Sequence, residues 1–154
     1  MPHIHDLIDF TVVAYIIYKN KVLMVKHKKI NAWLPVGGHI ELHEDPEEAL
    51  LREIKEECGV DVKIIASKPN IKDTEVKSIY RPQYVNIHKV NGIHKHFVFI
   101  YFAKALSNKV KLAENEHSDI RWFSIQDLNN QKYGVWSDIK FYALKALKKL
   151  QEAS

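Results

Sequence analysis

The chain has 154 residues, enough for one domain of roughly 150, and its 46% hydrophobic, 27% charged and 10% aromatic content is that of an ordinary soluble globule. These figures exclude a multi-domain machine and a disordered or collagen-like chain, and no run approaches the ~18 apolar residues that a membrane span needs. The net charge is +4, yet eight acids and two bases between Glu41 and Glu57 give that segment −6, so the remainder carries +10. A concentrated negative patch in a basic protein requires a cation or a specific pairing scheme.

The amino-terminal MPHIHDLIDF has neither a basic nor an apolar leader segment, which sets the expectation of a cytoplasmic protein. From Phe10 to Tyr18 the β-branched and aromatic run FTVVAYIIY predicts a strand, and the turn Lys19-Asn20-Lys21 followed by VLMVKHK completes a hairpin. In AWLPVGGHIEL the pair Gly37-Gly38 permits close backbone approach. A helix is predicted over Pro46–Cys58: Asp45 is its N-cap, Pro46 its first residue, Glu48 completes a capping box and Gly59 stops it. Leu50, Leu51, Ile54 and Cys58 form its apolar face, and Cys58, the only cysteine, is expected to be a small buried residue with no disulfide.

Further strands are predicted at VKIIAS, at YRPQYVNIHKV, after the Asn91-Gly92 hairpin signal at HKHFVFIYFAKAL, and at IRWFS from Ile120 to Ser124. Ser137 to Ala153 reads as a closing amphipathic helix with Ile139, Ala143, Ala146, Leu147 and Leu150 facing inward. No repeat, low-complexity tract or linker interrupts the chain, so residues 1–154 are read as a single α/β (α+β) domain, a sandwich of helices and strands.

At about 100° per residue, Glu53, Glu56 and Glu57 occupy a ~100° arc beside the apolar face of the central helix. Like charges at these spacings destabilise a helix by a few tenths of a kcal/mol per pair. A hard divalent ion offsets that repulsion: oxygen-only ligands suit Mg²⁺ or Mn²⁺, which are typically held by a few carboxylates, substrate phosphates and water. The implied substrate is a phosphate ester or anhydride.

Gly38 to Val60, GHIELHEDPEEALLREIKEECGV, fits G-x5-E-x7-R-E-U-x-E-E-x-G-U, with U aliphatic, at every fixed position: Gly38, Glu44, Arg52, Glu53, Ile54, Glu56, Glu57, Gly59 and Val60. The segment resembles the defining box of the Nudix hydrolase family. AWLPVGGHIE resembles the stretch that leads into that box, with Val36 where glycine is more usual, a departure that bears on loop geometry.

The resemblance implies an α/β/α sandwich with a mixed sheet. It also implies divalent metal bound by the carboxylates of Glu53, Glu56 and Glu57 with the Gly37 carbonyl as a further ligand, and a Glu44–Arg52 pair that fixes the loop against the helix. The implied reaction is attack of water on a phosphorus of a nucleoside diphosphate linked to another group. Glu53 is the first candidate for general base. A glutamate from a loop across the cleft is the other, and LAENEHSDIRWF offers Glu116, as base or metal ligand, ahead of Glu114.

The expected partner is a small-molecule nucleotide, foremost a nucleoside triphosphate, ordinary or damaged, cleaved to monophosphate and pyrophosphate. Nucleotide-sugar, dinucleoside polyphosphate or RNA-end hydrolysis and a non-catalytic sensor are the alternatives. Neither nucleic acid nor a membrane is an expected partner, and the oligomeric state is open, a homodimer included. Arg81 is a candidate phosphate or ribose contact. His94 and His96 are expected to be surface or cleft residues rather than metal ligands, His3, His5 and His43 to be exposed, and Trp33, Tyr80, Tyr84, Phe97 and Phe99 to pack the core.

Overall fold

A computed structural model describes residues 6–72 and 75–152. His3, His5 and Ala153 lie outside the described residues. The first strand, β1 (Ile8–Tyr18), carries apolar side chains on both faces and is therefore an unbroken hydrophobic run at the centre of the sheet. It turns back into β2 (Lys21–His27) through Lys19 and Asn20, both at positive φ, as a tight two-residue hairpin requires.

The strands β3 (Ala32–Leu34) and β4 (Val36–His39) follow. Next come helix α1 (Pro46–Glu57), β5 (Val62–Ile64), the hairpin of β6 (Tyr84–Asn91) and β7 (His94–Ala105), and β8 (His117–Phe123). The chain ends in the short helix α2 (Ile125–Asn129), a 3-10 turn over Gln131–Tyr133, and helix α3 (Ser137–Glu152). Strand order is β3-β2-β1-β7-β5, with β4 added to β1, β6 to β7 and β8 to β2. The β1–β7 pair is parallel and the other pairings are antiparallel, so the sheet is mixed.

Alternation along β1 builds two cores. Val12, Ala14 and Ile16 pack with Leu50, Ile54 and Cys58 of α1, while Tyr15 and Ile17 pack with Ile139, Ala143, Ala146 and Leu147 of α3. A helix covers each face, which is the expected α/β/α sandwich. Among the described residues no helix is long and apolar enough to cross a membrane.

Several expectations shift. Leu51 is 48% exposed, because its position on α1 turns away from the sheet. Val36 fills the core at 0% exposure and pairs with Ala14, so the departure from glycine extends packing rather than disturbing the loop. The strand expected from Tyr80 begins at Tyr84, since Pro82 has no N–H to give to a ladder. Ser124 caps α2 instead of ending a strand, accepting from the Asp127 N–H while Asp127 accepts from the Ser124 N–H.

Candidate active site

The site is built on α1 and the strand before it. Asp45 accepts from the Glu48 N–H at 2.9 Å and Glu48 accepts from the Asp45 N–H at 3.0 Å, so the capping box read in the sequence starts the helix. At the other end Gly59 takes φ +65, the left-handed conformation in which glycine ends a helix without strain. With both ends fixed, Glu53 and Glu57 lie one turn apart on the face turned toward β4.

Two glycines let the backbone come close enough. A Cβ on Gly37 would lie 2.1 Å from the Val12 carbonyl oxygen, and one on Gly38 would lie 2.3 Å from Glu53 Oε1. The Gly37 N–H donates to Glu57 Oε1 at 3.2 Å. Arg52 then clamps the loop to the helix. It gives Nε and Nη2 to the two oxygens of Glu44 at 2.6 and 2.9 Å, Nη2 to the His39 carbonyl at 3.0 Å, and Nη1 to Glu53 at 2.9 Å and Glu56 at 3.2 Å. A bidentate guanidinium is the side chain suited to that geometry. Its hydrogen bonds hold the Glu44 carboxyl below its usual range, and the carboxylates raise the Arg52 pKa further.

The negative patch thus resolves into two parts. Its amino-terminal acids are paired: Lys77 sits 2.6 Å from Asp45, Lys68 lies 3.5 Å from Glu47, and Glu47 also accepts from the Tyr80 N–H. Glu53 and Glu57 are instead buried, at 2% and 3% exposure, and hydrogen-bonded to each other. Burial raises both carboxyls well above the usual carboxylate range. The neighbouring Glu57 raises Glu53 further, and the nearby charges of Glu116 and Glu56 do the same for Glu57.

Of the three helix carboxylates expected to converge, two do. The Glu56 side chain is 60% exposed and points to the rim, tied to Arg52. Glu116, in the turn before β8, joins instead: ligand atoms of Glu57, Glu116 and His117 lie within 4.8 Å of one another. Glu114 is exposed, and its carbonyl accepts from Lys28 Nζ.

His117 is the residue that sequence reasoning missed. It is 3% exposed, its Nε2 lies 2.8 Å from Glu57 Oε2, and burial lowers its pKa. The only signal was its position next to Glu116. Arg81 is exposed in the loop before β6, where its N–H donates to the Ser67 carbonyl.

The aromatics divide. Trp33 is core, against Phe123. Tyr80 is half-buried and packs against the α1-side core as expected, whereas Tyr84 is 36% exposed. Phe99 is half-buried against the α1-side core as expected, with half-buried Phe97 and exposed Phe10 beside it, their rings tilted to one another. Phe10, Ile40, Glu41, Leu42, Pro46 and Phe99 line an apolar recess of about 320 Å³ beside the loop that Arg52 fixes. His94 is 5% exposed rather than a surface residue, on the sheet face opposite α1.

An all-oxygen carboxylate pair, buried so that its negative charges are costly without a cation, fits a hard divalent ion. Such a site suits hydrolysis of a phosphate ester or anhydride. The sequence profile of the NUDIX domain matches residues 9–145, and the chain belongs to the NUDIX family of hydrolases, which use divalent metals.

A NUDIX-family hydrolase from Clostridium perfringens is similar at 34% identity and TM-score 0.81, over 92% of this chain and 97% of that one. A MutT NUDIX hydrolase from Burkholderia pseudomallei (22% identity, TM-score 0.67, 93% and 98% covered) shares the fold. So does a C. elegans Ap4A hydrolase in a binary complex (17%, TM-score 0.67, 97% and 100% covered). No curated protein matches the chain.

Proposed function

We propose that the protein hydrolyses a nucleoside triphosphate to the monophosphate and pyrophosphate, with Mg²⁺ as the working ion. The observation that carries this reading is the adjacency of two features: the buried Glu53–Glu57 pair and, across the Arg52-fixed loop, an aromatic recess with room for one base. Aromatic faces take a base by stacking. One recess suits a mononucleotide better than a substrate with two nucleosides.

In this reading Glu53 and Glu57 hold the ion, with Glu56 from the rim and the Gly37 carbonyl as further ligands. The ion, when bound, lowers the pKa of the attacking water and offsets phosphate charge. Arg52 and Glu44 are positioning residues that keep the carboxylates and the loop in register. Glu53 is already engaged by Arg52 and Glu57. The exposed Glu116 is therefore assigned the water's proton, which it can pass to solvent. Arg81 is left as a contact for the phosphate tail from the loop opposite.

A panel of nucleoside triphosphates, dinucleoside polyphosphates and nucleotide sugars, each with and without Mg²⁺, tests the substrate. Pyrophosphate release concentrated on the triphosphates is expected. Turnover of a dinucleoside polyphosphate or nucleotide sugar with none of any triphosphate refutes it. For the proton, Glu116→Gln is expected to lower kcat by roughly 10²–10⁴ with the Mg²⁺ dependence unchanged. A shifted Mg²⁺ requirement at unchanged kcat would make Glu116 a metal ligand instead.

A further inference from the structure

Four histidines and an aspartate gather on the sheet face opposite α1. The strand registers set Asp9 opposite His96, His88 opposite the same His96, and His39 opposite Thr11. His96 shares the parity of Val98 and Ile100, which pack toward α3, so the cluster lies on that side of the sheet. Asp9 is 1% exposed, His94 5% and His39 9%, while the half-buried His96 and exposed His88 lead outward. The ring of His96 stands 4.9 Å from that of His39, 5.4 Å from His88 and 5.5 Å from His94.

The hydrogen bonding around His94 is informative. Its Nδ1 lies 3.1 Å from the Asp6 carbonyl oxygen, which can only accept, so Nδ1 carries the hydrogen. A neutral His94 therefore turns the lone pair of Nε2 toward Asp9 Oδ2, 3.1 Å away. A lone pair facing a carboxylate oxygen is repulsive unless a positive charge, a proton or a metal ion, lies between them. The Nδ1–H to carbonyl contact is also the outer hydrogen bond that orients metal-ligating histidines.

His96 completes a ligand set: one atom from each of Asp9, His94 and His96 falls within 4.8 Å of the others. In a tetrahedral site with bonds of about 2.0–2.2 Å, ligand atoms stand ~3.3–3.6 Å apart. Asp9 and His94 are already near that spacing at 3.1 Å, and His96 has to move inward by at most about 1 Å to reach it. Two imidazoles with one carboxylate suit zinc-class ions, whereas the all-oxygen pair on α1 suits Mg²⁺.

We propose that Asp9, His94 and His96 bind a divalent transition metal of the zinc class, at a site separate from the hydrolytic centre. His39 Nε2 lies 3.2 Å from Asp9 Oδ2 at the edge of this ligand set, and the His88 ring stands beside that of His96. The ion ties the start of β1 to β7 and the β6–β7 hairpin, so its role is structural.

The test uses untagged full-length protein, stripped with chelator and kept in excess Mg²⁺ so that the oxygen-ligand centre is filled. Zn²⁺ uptake is followed by calorimetry and Tm, and Co²⁺ by its visible absorption. Stoichiometric Zn²⁺ binding with a raised Tm is expected, retained in the Glu53→Gln/Glu57→Gln variant. His94→Gln and His96→Gln should each weaken Zn²⁺ affinity on the order of 100-fold, with Mg²⁺-dependent hydrolysis kept as the sign of a folded protein. If His94→Gln fails to fold, the half-buried His96→Gln decides alone. No Zn²⁺ uptake in excess Mg²⁺, or uptake unchanged by His96→Gln, overturns the proposal and leaves a proton as the charge between Asp9 and His94.

Discussion

Gly38→Ala tests whether the carboxylate pair is as tightly held as its geometry implies. The added methyl would stand 2.3 Å from Glu53 Oε1 and 2.6 Å from its Cδ, where ordinary contact begins at 3.4 Å, so the carboxyl must withdraw by about 1 Å. Gly38 has no positive φ, so the backbone tolerates the change and the effect falls on Glu53. Overpacking of this kind costs about 1–3 kcal/mol. At roughly 2–4 °C per kcal/mol for a chain of this size, Tm should fall by several degrees.

The same displacement stretches the 2.9 Å Arg52–Glu53 bond, and a misplacement of about 1 Å can cost on the order of 10²-fold in rate. Calorimetric Tm and kcat across an Mg²⁺ titration read the two effects separately. Glu53→Asp, which shortens the side chain by about one C–C bond, ~1.5 Å, should restore Tm to the Gly38→Ala background without restoring kcat. Parent-like Tm and kcat in Gly38→Ala alone would show that Glu53 is not confined against β4, and the reasoning would fail.

Arg52→Lys keeps the charge but loses the fork that spans Glu44, Glu53 and the His39 carbonyl. Breaking this charge-assisted network should cost about 1.5–3 kcal/mol and lower kcat more than KM rises, read by denaturant unfolding and steady-state kinetics; full activity would remove Arg52 from its positioning role. The raised Glu53 and Glu57 pKa values set a pH trend. The folded, metal-free protein keeps protons that the unfolded chain releases near pH 4.5, so this contribution to stability is full below that pH and is lost as pH rises toward about 8. The metal-free parent should therefore lose Tm relative to Glu53→Gln over that range, and Mg²⁺ should restore more at pH 8 than at pH 5. An Mg²⁺ effect independent of pH would contradict the coupled pair.

The acidic helix was legible in the chain because its determinants are local. Asp45, Pro46, Glu48 and Gly59 specify its ends within the segment itself, and the 3.6-residue period puts Glu53 and Glu57 on one face whatever the rest of the fold does. The Glu44–Arg52 pair came from the resemblance to the family's box and not from spacing alone; in the structure its two residues, eight apart, meet within one loop–helix unit. Both hairpin turns beside β1 and β7 were likewise readable from short-range turn signals.

Long-range pairing decided the rest. The period of a helix cannot say that Glu56 would be drawn to the rim by Arg52 while Glu116 and His117, about sixty residues onward, close on Glu57; β8 pairing with β2 does that. The short strands β3 and β4 carry too few residues for a pattern and exist because β2 and β1 offer them edges.

The histidines make the case most plainly. His94 and His96 are two residues apart in sequence and showed only that they share a strand face. Their partners Asp9 and His39 arrive through a parallel pairing across some 85 residues and an antiparallel one across about 28. Chemistry assembled within one helix can be read from spacing. Chemistry assembled across a sheet depends on strand order and register, which sequence separation does not encode.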